Sequence, residues 1–318
     1  MNRISLRRAL APTAVAASLV FTVAACGGGQ TTAAEGASGS VSVDGSSTVF
    51  PLSDAAAELL AEENPNIDVA VGSSGTGGGF EKFCAGKTDI SDASRPIKDD
   101  EEVPVCEEAA VKYTELHVAT DALTVVVNKD LAVDCLTTEQ LKTIWSPESQ
   151  GEVTNWNQVD PSFPDQEMTL FGPGTDSGTF DYFTDEINGE EGASRSDYEA
   201  SEEDNVIVEG VANTEGATGY FGFTYFEENA DKLKAVEVDS GEGCVAPSVE
   251  TAQSGEYTPL ARPLFIYVAD KSYADKPQVA EYVDFYIANL ADIAEAAEFI
   301  PLNDEQLSDT EGTLAGMK

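Results

Sequence analysis

Three short runs of glycine, serine and threonine hold the residues of this chain that could do chemistry. They are "DGSST" at residues 44–48, "GSSGTGGG" at 72–79 and "GTDSGT" at 174–179. Each follows an apolar stretch of strand type and precedes apolar residues at helical spacing. The first N–H groups of a helix are unpaired and partly positive, hydroxyls add donors, and glycine lets the backbone approach closely. Such runs favour the binding of an anion.

Other chemistry finds little support in the same residues. The glycine run lacks the lysine of a nucleotide-binding P-loop and the spacing of a dinucleotide-binding turn. His117 is the single histidine, which excludes a histidine-rich zinc site, and no serine lies in a G-x-S-x-G elbow. We therefore expect His117 to be structural and expect no catalytic residue, metal or cofactor. The alternative, a phosphoester hydrolase with Ser47 or Ser177 as nucleophile, lacks a visible base.

An arginine stands in a fourth polar segment, "TDISDASRPI" at residues 88–97. Beyond residue 25, arginine occurs at Arg95, Arg195 and Arg262 and nowhere else. A guanidinium presents a planar fork that matches a tetrahedral oxyanion, so Arg95 is a candidate ligand. The competing interpretation is a surface ion pair in a very acidic protein.

The charge balance restricts the class of partner. Asp and Glu number 58 against 17 Lys and Arg, a formal charge of -41. Nucleic acid is an unsuitable partner because binding it requires cationic neutralisation of phosphates. The excess is typical of a solvated surface, and its field should slow an arriving anion. Binding would then depend on short-range donors.

The N-terminus predicts export. "MNRISLRRAL" is basic, "APTAVAASLVFTV" is apolar but short for a membrane span, and "VAAC" places small residues before Cys26. This resembles a bacterial lipoprotein signal, which implies cleavage after residue 25, a lipid on Cys26 and a location at the extracytoplasmic face of the cell membrane. An ordinary cleaved signal peptide is the alternative. Residues 26–40 read as a flexible Gly/Ser/Ala/Thr tether.

Export places the remaining cysteines in an oxidising compartment. Cys84, Cys106, Cys135 and Cys244 form an even set, so we expect two disulfides. Four cysteines can form two disulfides in three different ways. Proximity in sequence favours Cys84 with Cys106, which leaves Cys135 with Cys244. A redox or metal role would favour a C-x-x-C spacing, which the chain lacks.

Strands alternating with helices predict an α/β fold with mainly parallel strands, and 42% hydrophobic residues suffice for a sizeable core. "ALTVVVN" and "PLFIYVA" read as buried strands. Thr137 and Gln140 have the spacing of a capping box, and apolar residues from Val279 to Ile293 predict one long amphipathic helix.

Taken together, "DGSSTVFP", "GSSGTGGGFEKFCAGKTDISDASRPI", "GTDSGTFDYF" and the lipoprotein signal resemble the PstS family of phosphate-binding lipoproteins of ABC transporters. The resemblance covers residues 41–305. It implies a two-lobed, Venus-flytrap α/β fold that closes over one phosphate and hands it to a membrane permease. The positions that match the family's binding turns are Ser47, Thr48 and Val49, then Ser73 and Ser74, then Ser177, Gly178 and Thr179.

This chain departs from the family pattern at two points. Many members have an arginine just before the third turn, where this chain has Pro173 and Gly174. Arg95 is our candidate replacement, with Arg195 as the second choice. Many members also present an aspartate that accepts the phosphate's proton. Ser94 stands at that point when Pro96 is aligned, Asp92 when "SDA" is aligned, and Asp176 is a third candidate.

The resemblance also predicts the organisation of the chain. We expect one lobe from residues 41–120 and 263–318 and the other from 121–262, with the anion between them. The expected partners are inorganic phosphate and the permease, and we expect a monomer. A binding protein for another oxyanion, such as sulfate or molybdate, and a sensory or adhesive protein that merely retains the fold are the alternatives.

Overall fold

The computed structural model describes residues 36–175 and 177–318. The predictions for the signal peptide, Cys26 and most of the tether, and for Asp176, lie outside these residues. Within the described ranges, no helix combines the length and the apolar character that crossing a membrane requires.

The described chain alternates strands and helices. The twelve strands are β1 Gly39–Gly45, β2 Ile67–Ser73, β3 Ile90–Ala93, β4 Tyr113–Val127, β5 Cys135–Thr137, β6 Thr169–Gly172, β7 Glu199–Ala200, β8 Ala217–Gly222, β9 Lys234–Ala235, β10 Glu237–Asp239, β11 Cys244–Val245 and β12 Ala261–Ala269. The α-helices are α1 Phe50–Glu63, α2 Gly75–Cys84, α3 Val103–Glu108, α4 Thr138–Trp145, α5 Trp156–Val159, α6 Gly178–Phe183, α7 Asp204–Asn213, α8 Phe223–Asn229, α9 Val249–Gln253, α10 Asp270–Asp275, α11 Pro277–Ala288, α12 Leu290–Ala296 and α13 Asp304–Ala315. A 3₁₀ turn spans Pro147–Ser149, and a π-helical turn, Thr184–Asn188, continues α6.

Nine strands form one sheet in the order β2-β1-β3-β12-β4-β8-β6-β7, with β9 paired to β4. The parallel pairs expected from the strand-turn-helix pattern are β1 with β2 and β3, and β6 with β7 and β8. The antiparallel pairs of this sheet all involve β4 or β12. β4 takes the chain from one half of the sheet to the other and β12 brings it back. Both strands are therefore antiparallel to these neighbours.

The apolar interior falls into two large clusters along this sheet. The first core draws its buried residues from Val41 to Ala119 and from Leu264 to Leu314. The second core draws its buried residues from Leu123 to Leu260. β4 and β12 pair directly where the chain passes from one core to the other, with Ala261 opposite Ala122 and Arg262 opposite Asp121.

A smaller sheet packs beside the second core, in the order β11-β10-β5. The disulfide between Cys135 and Cys244 joins its two outer strands. The second disulfide, between Cys84 and Cys106, joins the end of α2 to α3. The pairing favoured by proximity in sequence is thereby confirmed.

Local sequence signals explain several helix boundaries. The capping box of α4 is confirmed, because Thr137 Oγ1 accepts the N–H of Gln140 and the Gln140 amide oxygen accepts the N–H of Thr137. The single long helix predicted from Val279 to Ile293 is wrong. The backbone leaves helical geometry at Asn289, whose side-chain amide donates to the carbonyl of Phe285, and α12 begins one residue later.

Candidate functional site

A cavity of about 320 Å³ lies where the loops after β1, β2 and β3 meet the start of α6. The first three strands are mutually parallel, so their carboxyl ends lie at one edge of the sheet. Six of the residues predicted to bind an anion line this cavity: Ser47, Thr48, Ser74, Ser94, Arg95 and Gly178.

The first loop is shaped by Ser46, which the sequence analysis missed. The Ser46 hydroxyl oxygen accepts the N–H groups of Thr48 and Val49, at 3.2 and 3.4 Å, and so fixes the turn that leads into α1. Ser47 and Thr48 stand on the cavity wall, together with Ser46 itself. Val49 is fully buried and belongs to the first core, so its side chain cannot reach a ligand.

In the second loop, the hydroxyl hydrogen of Ser74 is already donated to another residue. Ser74 Oγ donates to Asp44 Oδ1 at 2.5 Å, while Lys82 Nζ donates to the other oxygen of Asp44 at 2.6 Å. Burial raises the pKa of Asp44, but the hydrogen bonds from Lys82 and Ser74 outweigh burial and leave that pKa below its usual value. Ser74 can therefore offer a ligand its backbone N–H and its lone pairs. Ser73, the exposed last residue of β2, does not line the cavity.

The glycines of α2 have two separate roles. Gly77 and Gly78 line the cavity. Gly79 packs on the end of β1, where an added Cβ would lie 2.5 Å from Gly45 Cα. Part of the glycine-rich signal thus reflects close packing of helix on strand. Thr76 also joins the loop after β2 to the loop after β3. Its Oγ1 accepts the N–H of Ser94 and shares a hydrogen bond of 3.0 Å with the Ser94 hydroxyl.

Arg95 lines the cavity but has a carboxylate partner. Its Nη1 and Nη2 donate to the two carboxylate oxygens of Glu102, at 2.9 and 2.8 Å. Nη1 also donates to the carbonyl of Pro96. The side chain is 33% exposed. The ion pair proposed as the competing interpretation is therefore present, on the wall of the same cavity.

The third loop meets the first across the cavity. An added Cβ on Gly178 would lie 3.1 Å from Thr48 Oγ1 and 3.4 Å from the Thr48 backbone. Ser177 Oγ accepts the N–H of Thr179 and caps α6. Thr179 lines a separate cavity of about 120 Å³ that also contains Asp121. Neither Ser177 nor Thr179 is on the wall of the larger cavity.

Four acidic residues also line the larger cavity, and together they are called the acidic wall. They are Asp181, Asp185, Glu186 and Glu191. Burial raises the pKa of Asp181, and the nearby charge of Glu191 raises it further, although Arg262 opposes both effects. The cavity therefore offers an anion both hydrogen-bond donors and carboxylates.

Arg262 is the main site residue that the sequence analysis did not select. It lines the cavity, and its Nη2 donates to Thr48 Oγ1 at 2.9 Å. Its Nε donates to Asp121 Oδ2 at 3.2 Å, and its guanidinium carbon lies 3.5 Å from the centroid of the Tyr182 ring. The available signal was scarcity, since Arg262 is one of three arginines beyond residue 25.

Two other candidates, Arg195 and Asp92, lie outside the cavity wall, as does His117, which was expected to be structural. Arg195 is 3% exposed, donates to the carbonyls of Ile144 and Val153, and pairs with Asp197. Asp92 is fully buried and accepts a hydrogen bond from Ser53 Oγ at 2.9 Å. His117 bonds the carbonyl of Ala119 through Nε2, and burial lowers its pKa.

One group of possible metal ligands occurs in the described part of the chain, namely Cys135, Glu237 and Cys244. The two sulfur atoms are joined in a disulfide and so are not thiolate ligands. This group lies apart from the cavity, whose wall contains none of the three.

Comparison with known proteins is consistent with this geometry. The PBP superfamily domain matches residues 30–289. Protein SphX of Synechocystis sp. is 47% identical over 94% of this chain and 87% of its own length. The phosphate-binding protein PstS of Staphylococcus saprophyticus is 40% identical over 95% of this chain and 92% of its own length.

Among solved structures, a possible phosphate binding protein from Planctomyces limnophilus is 43% identical, with a TM-score of 0.83 over 88% of this chain and 99% of that one. The two-lobed α/β fold predicted from the sequence is thereby confirmed. By its domain match and by its relatives, the chain belongs to the PBP superfamily and, within it, to the PstS family of phosphate-binding proteins.

Proposed function

We propose that this protein binds inorganic phosphate outside the cell membrane and delivers it to the permease of an ABC transporter. The observation that carries the proposal is the convergence of three Ser/Thr/Gly loops and two guanidiniums on one cavity of about 320 Å³. The Staphylococcus saprophyticus relative at 40% identity and the solved relative at 43% identity are named for phosphate binding.

The ligand set consists of the predicted residues that line the wall. Ser47, Thr48 and Ser94 supply hydroxyl groups, and Ser74 supplies its backbone N–H at the start of α2. Gly178 admits close approach of the third loop, and Arg95 adds positive charge. Val49, Ser73, Ser177 and Thr179 lie outside the wall and contribute by shaping these loops.

The acidic wall favours phosphate over sulfate. Near neutral pH, phosphate retains a proton and can donate a hydrogen bond to a carboxylate, whereas sulfate offers only lone pairs. A carboxylate of this wall that faces sulfate would lack a donor and face a like charge. The remaining alternative, another oxyanion, is therefore less suited to this wall.

The whole chain is organised around that cavity. One lobe comprises residues 41–120 and 263–318 and the other comprises residues 121–262, as the division between the two cores supports. Cys26 carries the lipid, residues 26–40 tether the monomeric body to the membrane, and the permease is the partner in the membrane. The protein is a binding protein and not an enzyme, in keeping with the binding proteins to which it is related.

Calorimetric titration of the purified protein in phosphate-free buffer tests the proposal. Phosphate should bind at one site per chain, and sulfate and molybdate should bind at least about a hundredfold more weakly, equivalent to about 2.7 kcal/mol. A phosphate-ester turnover assay on the same sample should show no activity. Equal affinity for sulfate, or turnover of the ester, would contradict the proposal.

A further inference from the structure

We infer that Arg262, and not Arg95, is the guanidinium that binds the anion directly. The inference rests on the phosphate binding proposed above and names the charged donor of that site. It follows from what each of the two guanidiniums in the cavity wall already contacts.

Arg262 is part of strand β12, and the sheet fixes its position. It stands directly opposite Asp121 in the antiparallel ladder of β12 and β4, and its Nε donates to Asp121 Oδ2 at 3.2 Å. The side chains of Arg262 and Asp121 are 17% and 7% exposed. A charge so withdrawn from water interacts more strongly with an anion than an exposed one does, because less solvent screens it.

The rest of the Arg262 fork points toward the first loop. Nη2 donates to Thr48 Oγ1 at 2.9 Å, and the face of the guanidinium lies on the Tyr182 ring. Within residues 36–175 and 177–318, no hydrogen-bond acceptor is bound to Nη1. An oxyanion beside Thr48 could therefore receive hydrogen bonds from Nη1 without displacing a partner that belongs to these described residues.

Arg95 is differently placed. Both of its Nη atoms donate to Glu102, each to a separate carboxylate oxygen, so its fork is occupied in the bidentate manner that a phosphate would need. To bind an anion in that way, Arg95 would first have to leave Glu102 with an unpaired charge. Its 33% exposure also allows solvent to screen its charge. Its contribution should therefore be a weaker, longer-range attraction.

The position of Arg262 links the ligand to both cores. Thr48 adjoins Val49 of the first core, whereas Tyr182 belongs to the second. An anion bound beside Thr48 by Arg262 would therefore hold the two sides of the cavity together through one side chain. This coupling is a consequence of where β12 enters the sheet, next to β4.

The test is a set of phosphate titrations of the purified protein and four variants. The double variant Arg262→Gln with Asp121→Asn removes the cation without leaving a buried carboxylate unpaired, and Arg262→Lys keeps a charge but loses the fork. Arg95→Gln is the comparison. Arg195→Lys is the matched control, since it alters a buried, aspartate-paired arginine outside the cavity.

We expect the double variant to lose at least about a hundredfold in phosphate affinity and Arg262→Lys at least about tenfold. Arg95→Gln should lose less than about fivefold, and Arg195→Lys should match the wild type. A loss in Arg95→Gln that exceeds the loss in the Arg262 variants overturns the inference. So does a double variant that binds within about threefold of wild type.

Circular dichroism of each variant checks folding. If the double variant does not fold, the phosphate affinities of Arg262→Lys and Arg95→Gln are compared instead. The inference then requires that Arg262→Lys lose more affinity than Arg95→Gln. If the wild-type protein itself binds no phosphate, the proposed function and this inference both fail. If the wild type binds and the Arg262 variants bind equally well, this inference alone fails.

Discussion

Gly178 and Thr48 meet across the cavity with no room for a side chain between them, since an added Cβ would lie 3.1 Å from Thr48 Oγ1. The first residue belongs to the loop at the start of α6 and the second to the loop before α1. Close approach of the two loops therefore depends on glycine at position 178.

Gly178→Ala should separate binding from stability. Replacing glycine by alanine restricts the unfolded chain, an effect of roughly 0.4–1 kcal/mol, so the unliganded variant should unfold at an equal or higher denaturant concentration. The methyl group must push Thr48 back by a few tenths of an ångström, so phosphate affinity should fall roughly three- to tenfold, and Gly178→Val should lower it further. Calorimetry and urea unfolding measure the two effects, and a variant that binds as well as wild type would show that the loops need not meet.

Asp181→Asn should make phosphate binding less dependent on pH. The pKa of Asp181 is raised by burial and by Glu191, while Arg262 lowers it. As pH falls through that raised pKa, the carboxylate loses its charge and its repulsion of the anion, so wild-type affinity should rise as pH falls. Removing the charge should tighten binding roughly fivefold at neutral pH, about 1 kcal/mol for one like charge in a partly screened site.

Wild type and Asp181→Asn should both be titrated with phosphate between about pH 5 and 8. The ionisation of phosphate affects both proteins equally, so it cancels when the two are compared. The measured quantity is the difference between their slopes of affinity against pH. Weaker binding by Asp181→Asn at neutral pH would instead indicate that this carboxylate accepts a proton from the ligand.

Asp92→Asn should stabilise the protein at neutral and higher pH. Burial raises the pKa of Asp92 to about 7, an effect that the hydrogen bond from Ser53 only partly offsets. The unfolded chain releases this proton near pH 3.9, so wild-type stability should fall as pH rises from about 4 to 7 and stay low above that range. The variant should gain roughly 1–4 kcal/mol at pH 8 and almost nothing at pH 4.

Urea unfolding across this pH range provides the measurement. Asp89→Asn is the matched control, because Asp89 is similarly buried but pairs with Lys276 at 2.6 Å and should lose stability when neutralised. Stabilities of wild type and Asp92→Asn that run parallel with pH would mean that Asp92 is charged in the folded protein.

The two disulfides should differ in their contribution to stability. Cys84–Cys106 closes a segment of 22 residues and Cys135–Cys244 one of 109 residues. Chain entropy then predicts a loss of roughly 3 kcal/mol when the first pair is replaced by alanine and roughly 4–5 kcal/mol for the second. Urea unfolding of the two double variants checks the order. An equal loss for both would imply that strain or residual structure in the unfolded chain dominates.

Much of the fold was predictable because its signals are local. The alternation of strand, polar turn and helix indicated the parallel strands β1–β3, and proximity in sequence favoured the disulfide pairing. The break at Asn289 escaped prediction because the apolar stripe continues through α11 and α12 without interruption. Periodicity reports which residues are buried, not whether one backbone segment or two bury them.

The candidate site was predictable in part for the same reason. Loop residues such as Thr48 and Gly178 carry a pattern of residue types that can be read along the chain. Arg262 carries no such pattern, because its role comes from the pairing of β12 with β4, which sets it opposite Asp121, and from contact with Thr48. For Arg95 the sequence raised an ion pair as the competing interpretation, but the acidic run at 99–102 did not show that Glu102 would occupy both ends of its fork.

The fifteen-residue strand β4 passes from the first core into the second, and its pairing with β12 extends from Tyr113 to Ala122, where the second core begins. A relative rotation of the two halves must therefore bend a two-stranded ribbon, and twisting that ribbon would stretch its ladder of backbone hydrogen bonds. The amide protons of this ribbon should then exchange slowly with deuterated solvent whether or not a guest is present. Release of the ligand would then be a bending of this ribbon about one axis. Each half of the protein would keep its internal structure while its contacts with the ligand are broken.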